Sequence, residues 1–146
     1  MKIITHLSLI VLLVVLQTAC DQHKPKNGNA MRDRFMATLQ LIGEAKEIEQ
    51  AADGKEDAIE SAFFRIVEKT EAAYALASTV DEGFLRWVEP GLPTAFKSLR
   101  DSSGLRAEGM RKDSLELQAK AEHLRQQWGH YWAENSSKVF KKLKVE

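Results

Sequence analysis

The chain has one cysteine, three prolines, two tyrosines and no excess charge of either sign. With Cys20 alone no intramolecular disulfide can form, so the folded body must be held by packing. Lysine and arginine together number 21, and so do aspartate and glutamate. That balance supplies none of the basic footprint on which nucleic-acid binding relies. Also missing are a glycine-rich phosphate loop, a nucleophile elbow, a cysteine pair and a His-Glu metal-binding helix. No catalytic residue, metal ligand or cofactor is therefore assigned, and the chain reads as a non-enzymatic protein. Strict apolar-polar alternation is absent and β-branched residues are few outside positions 3–16, so no stretch reads as a strand.

Histidine is scarce too. His6 and His23 lie before the helical part of the chain, and His123 and His130 are seven residues apart on one predicted helix. Two helical turns separate that last pair by about 10.5 Å, too far to share a metal ion, and they read as surface residues. The carboxylates sit among lysines and arginines, as in Glu44-Ala45-Lys46-Glu47, where they support helix faces and solubility.

What the chain does have is a distinctive beginning. Met1 and Lys2 are followed by an almost unbroken apolar run over residues 3–16 and then by Gln17-Thr18-Ala19-Cys20. A positive start, an apolar stretch and small residues before a cut site form a secretory signal, which is removed rather than folded. The run is shorter than the roughly 20 residues a helix needs to cross a bilayer.

This segment resembles the signal peptide of a bacterial prolipoprotein, in which a small residue, here Ala19, precedes the cysteine that becomes the mature N-terminus. Gln17 stands where that class usually has leucine. The resemblance covers residues 1–20 and no more. It implies that the Cys20 sulfur receives a diacylglycerol and its freed amine a further acyl chain such as palmitate. Multiple chains anchor where a single one only tethers reversibly. In enteric members of the class an aspartate directly after the cysteine goes with retention in the inner membrane, so Asp21 implies the inner membrane rather than the outer.

The chain then divides into a signal peptide at 1–19, a lipidated cysteine with a flexible tether at 20–30, and a helical domain at 31–146. The tether, polar and carrying Pro25 and Gly28, reaches at most about 33 Å when extended, which keeps the domain near the membrane surface. Apolar spacings of three and four predict a helix over 31–52 and a second one through 59–77, with Asp53 capping the second and Glu56 reaching back to it. A short third helix carries Phe84, Leu85, Trp87 and Val88 and stops at Pro90. Pro93 opens a further piece, 94–100, that ends in Asp101-Ser102-Ser103-Gly104. The last helix is long, over about 105–142. Its seam runs Met110, Ser114, Leu117, Ala121, Leu124, Trp128 and Tyr131, locally weakened by Gly109 and Gly129. The expected fold is all-α: a three- to four-helix bundle after a cleaved signal peptide and a short flexible tether.

Two groups of residues look outward. Trp132, at the edge of the seam, and Trp87, near the proline break, form a partly exposed aromatic patch for a partner, since interface centres favour aromatics. The tail from Lys138 to Lys144 interleaves Lys141, Lys142 and Lys144 with apolar residues. It suits either a helix C-terminus or anionic lipid headgroups. The expected function is that of a membrane-anchored periplasmic lipoprotein that binds another envelope protein. It would serve as an accessory, inhibitor or immunity or exclusion factor of an envelope, secretion or conjugation system. The alternative is a carrier or sensor of a small apolar ligand, enclosed by Phe63, Phe64, Phe84, Phe96 and Trp128.

Overall fold

The computed structural model describes residues 24–145; the signal segment, Cys20 and Asp21 lie outside the described residues. Five helices follow one another: α1, Gly28–Ala52; α2, Glu56–Ala77; α3, Glu82–Val88; α4, Leu92–Arg111; and α5, Leu115–Leu143. The fold is all-α, as the periodicity required, with no strand among the described residues.

The first helix begins at Gly28, inside the stretch expected to be a flexible tether. The Gly28 amide donates to the Pro25 carbonyl at 2.9 Å, so a proline turn feeds directly into the helix. The Lys24 side chain crosses Gly28 so closely that a Cβ there would lie 2.7 Å from Lys24 Cε. Residues 28–30 of that stretch are therefore helix rather than tether.

α1 and α2 form a hairpin across three residues. Gly54 turns the chain with φ +72°, a conformation glycine adopts at little cost. The expected cap on α2 is not formed: Asp53 is the C-cap of α1, and Lys55 takes the N-cap position without a side-chain hydrogen bond. The turn needs two residues beyond Asp53, which moves that carboxylate away from the new helix end. Small residues, Ala62, Ala73 and Ala77, lie along the buried face of α2 and let neighbouring helices approach. Ile59 and Tyr74, apolar positions that the three-and-four spacing over 59–77 would place on the buried face, are instead 57% and 44% exposed.

α3 is capped by Asp81, whose carboxylate accepts from the Phe84 amide at 2.8 Å. α4 starts with Pro93 in its first turn and then runs on through Ser102, Ser103 and Gly104, where an end was expected. Each of these residues is used inside the helix. Ser102 and Ser103 are buried, and the Ser103 hydroxyl donates to the Leu99 carbonyl at 3.1 Å. Gly104 lies under the Tyr74 ring, whose Cδ2 is 2.8 Å from where a Cβ would stand. The break comes nine residues later: Asp113 takes φ +50° and Ser114 caps α5, accepting from the Leu117 amide at 3.3 Å. The single helix expected over 105–142 is thus the end of α4 plus α5, and Met110 belongs to α4.

The four long helices pack as consecutive antiparallel neighbours. Glu44 meets Lys69 across α1 and α2, Glu71 meets Arg111 across α2 and α4, and Ser98 meets Gln127 across α4 and α5. The principal core gathers where α3 crosses the bundle: Phe35, Phe84, Leu92, Phe96, Leu99, Trp128 and Val139 are all within it. Each such side chain, once buried, contributes about 1.5–3 kcal/mol. A smaller cluster of Ile48, Ala62 and Ile66, with Met110 and Ala52 against it, closes the opposite end. Between α1 and α5 the contact is made by long side chains, Phe35 against Trp132 with ring centres 6.3 Å apart.

Candidate functional site

The thick end of the bundle is also where the described chain begins and ends, and a groove of about 800 Å³ opens there. One wall comes from the start of the described chain, with Lys24, Gly28 and Arg32; the other is the C-terminal end of α5 and its cap, with Lys138, Lys141, Lys142 and Lys144. α3 supplies the floor through Phe84, Trp87 and Val88, extended by Pro90 and Leu143. The sequence dictates both walls locally. Pro25 and Gly28 bend the start of the chain onto the bundle, and the 138, 141, 142 spacing puts three lysines on one side of α5.

Trp87 is the centre of the floor. Its ring packs on Phe84 at 6.1 Å between centroids, and the Lys142 ammonium sits over the Trp87 ring, 4.6 Å from its centroid. That is cation–π range. Lys24 is steadied by the Asn29 side-chain carbonyl at 2.5 Å and Arg32 by Asp33 at 3.2 Å. Among the described residues no carboxylate lies within ion-pair distance of Lys138, Lys141, Lys142 or Lys144. Lys141 and Lys142 stand in the last turn of α5, where their charge complements the helix dipole.

The single acid lining the groove among the described residues, Glu89, is turned to structural use. Its carboxylate accepts from the Gly91 amide at 2.8 Å and from the Tyr131 hydroxyl. Burial first, and then the adjacent Glu89 carboxylate, hold the Tyr131 hydroxyl well above the ordinary tyrosine value of 10.0. Tyr131 therefore stays protonated and donating. A Cβ at Gly91 would stand 3.3 Å from the Tyr131 ring and 3.1 Å from Glu89 Oε2, so the corner is closely packed and either side chain would have to shift by a few tenths of an ångström to admit one.

Of the residues singled out from the sequence, the fold brings together Trp87, Lys141, Lys142 and Lys144. Trp132 does not join them. It stacks on Trp128 at 4.8 Å and meets Phe140 edge-on at 5.2 Å, in a second groove of about 690 Å³ between α1 and α5. The expected single aromatic patch is thus two separate sites, since the two tryptophans leave α3 and α5 in different directions. Lys24, Arg32 and Glu89 were not legible as site residues, being 50 or more positions from Lys141 with no local motif to mark them.

The five aromatics proposed to enclose a ligand do not share a cavity. Phe84, Phe96 and Trp128 are core residues, while Phe64 is 65% exposed. His123 and His130 are exposed on α5, and among the described residues no group of three or more His, Cys, Asp or Glu is placed to hold a metal ion. No described helix is long and apolar enough to cross a membrane. No family model matches the chain, and neither a curated protein nor a solved structure similar to it was found.

Proposed function

We propose that this protein is a lipid-anchored, non-enzymatic interaction module of the bacterial envelope, held at the periplasmic face of the inner membrane through acyl chains on Cys20. Its task in this reading is to bind another envelope protein, as an accessory, inhibitor or immunity or exclusion factor of a secretion, conjugation or wall-building system. The observation that carries the reading is one of placement. Lys24, which lines the cationic groove, is four residues from Cys20 in the chain, a span of at most about 14 Å. An anchor at Cys20 therefore holds Trp87 and the lysines of α5 at the membrane side of the domain, where a partner in or on that membrane meets them.

Metabolic labelling with a fatty-acid analogue tests the anchor: the wild-type chain takes up label and Cys20→Ala does not. Equal labelling of both, or of neither, removes the localisation. Affinity capture of the lipidated protein from its own membrane in mild detergent tests the task. A specific envelope protein should co-purify, and less of it with Trp87→Ala.

A further inference from the structure

We propose that the groove between the start of α1, α3 and the end of α5 is a binding site for the phosphate-bearing headgroup of an anionic phospholipid. The placement of the groove beside a bilayer rests on the anchor proposed above; its chemistry does not. A chain with 21 basic and 21 acidic residues has no general excess of positive charge. Over much of the surface its cations are paired, as Lys69 is with Glu44, Arg106 with Glu49, Arg111 with Glu71 and Arg125 with Glu122. At the groove this balance fails. Lys24, Arg32, Lys138, Lys141, Lys142 and Lys144 converge on it; Arg32 is met by Asp33, and among the described residues the one acid in the lining is Glu89, which accepts from Gly91 and Tyr131. A mobile anion is what that local excess attracts.

The floor narrows the choice of anion. The exposed lining is mostly apolar, with Trp87 and Pro90 open to the groove and the buried Phe84, Val88 and Leu143 beneath them, so the site suits a molecule that is anionic at one end and apolar at the other. Tryptophan with lysine close above it is the pairing found where proteins meet the headgroup layer. A volume of about 800 Å³ is within the range that accommodates a headgroup with its glycerol. Lys24, at the start of the described chain, lines this groove and is four residues from Cys20 in the sequence, so with the anchor proposed above the nearest abundant amphiphile is a lipid of the same leaflet. Basic residues at such a surface add to one another's attraction for anionic headgroups.

The full chain, purified in mild detergent with its own modification, is reconstituted into nanodiscs of phosphatidylcholine alone or with about one-third phosphatidylglycerol. Lysines are then acetylated under limiting reagent and read residue by residue by mass spectrometry. The expected result is that Lys138, Lys141, Lys142 and Lys144 react about threefold or more slowly in the anionic discs, whereas Lys46 and Lys55, toward the opposite end, are unchanged. The triple variant Lys141→Gln, Lys142→Gln, Lys144→Gln should lose the remaining difference at Lys138. Equal rates in both discs, protection reproduced by inorganic phosphate alone, or protection appearing only with a co-purified acidic protein would each overturn the proposal. The intact mass of the same sample reports acylation at Cys20 separately, so a missing anchor and a missing headgroup site are told apart.

Discussion

Lys142 reaches across from the last turn of α5 to place its ammonium 4.6 Å from the centre of the Trp87 ring on α3. The two residues are 55 positions apart, and their contact joins the C-terminal helix to the short helix that closes the bundle. At a partly exposed site such a pair contributes about 0.5–1 kcal/mol. Lys142→Met should therefore lower stability by no more than that while changing the Trp87 emission, as denaturant unfolding followed by fluorescence will show. A larger loss would mean that the groove is part of the structural core rather than a surface built for a ligand.

Phe35 is the reverse case. It is fully buried and touches Phe96 with ring centres 5.1 Å apart as well as Trp132, so it holds α1 against both α4 and α5. Phe35→Ala should cost about 3–5 kcal/mol, read as a shift of the urea midpoint. A loss under about 1 kcal/mol would show that α1 is not packed here as described.

Two glycines should respond to alanine with opposite signs. A Cβ at Gly109 would stand 3.0 Å from the Gln118 backbone nitrogen and 3.1 Å from Leu117 Cβ, whereas nothing lies within 4 Å of one at Gly129. Gly129→Ala should stabilise by up to about 1 kcal/mol through helix propensity. Gly109→Ala should destabilise by about 1–2 kcal/mol, because α4 and the first turn of α5 must move apart. Thermal melts of the two variants settle the comparison.

The Glu71–Arg111 pair gives the fold a pH dependence of known sign. Arg111 donates from Nε and Nη2 to the two Glu71 oxygens at 2.6 and 2.8 Å. Those hydrogen bonds hold the Glu71 carboxyl below its ordinary value of 4.5. The unfolded chain therefore takes up this proton first as pH falls. The stabilisation from the pair is full above about pH 4.5 and is lost as pH drops through the lower folded value. The melting temperature of wild type should exceed that of Glu71→Gln near pH 6, and the gap should close on acidification below about pH 4. Because the pair is exposed, the gap is small and shrinks in high salt.

How much was legible beforehand depended on whether a residue's role is local. Periodicity located α1, α2 and α3 within a few positions, because a helix that buries one face must repeat every three or four residues. The stops were harder. Asp101-Ser102-Ser103-Gly104 has the composition of a helix end, yet the chain stays helical there because Tyr74 from α2 covers Gly104 and the Ser103 hydroxyl bonds back to Leu99. Lys112-Asp113-Ser114 carries no glycine or proline and nevertheless breaks the chain, with Asp113 in the left-handed region. Asp53 looked like a cap because the residue three positions on is glutamate, but the turn geometry places Lys55 there instead.

The groove follows the same division. Its lysines on α5 could be read off the tail, since neighbouring turns of one helix place them together. Lys24 and Arg32 joined them only when the Pro25 turn folded the start of α1 against α3, and Trp132 left the group because α5 aims it toward Phe35.

The sequence by itself determined that this chain is helical, that no disulfide supports it, and which stripes are apolar, because helical repeat and side-chain chemistry act over a few residues. Tertiary structure alone decided where α4 ends, which glycines are close-contact points, and that cations from both ends of the chain surround one tryptophan. Those outcomes depend on helices meeting across tens of residues, and no local pattern encodes which faces meet.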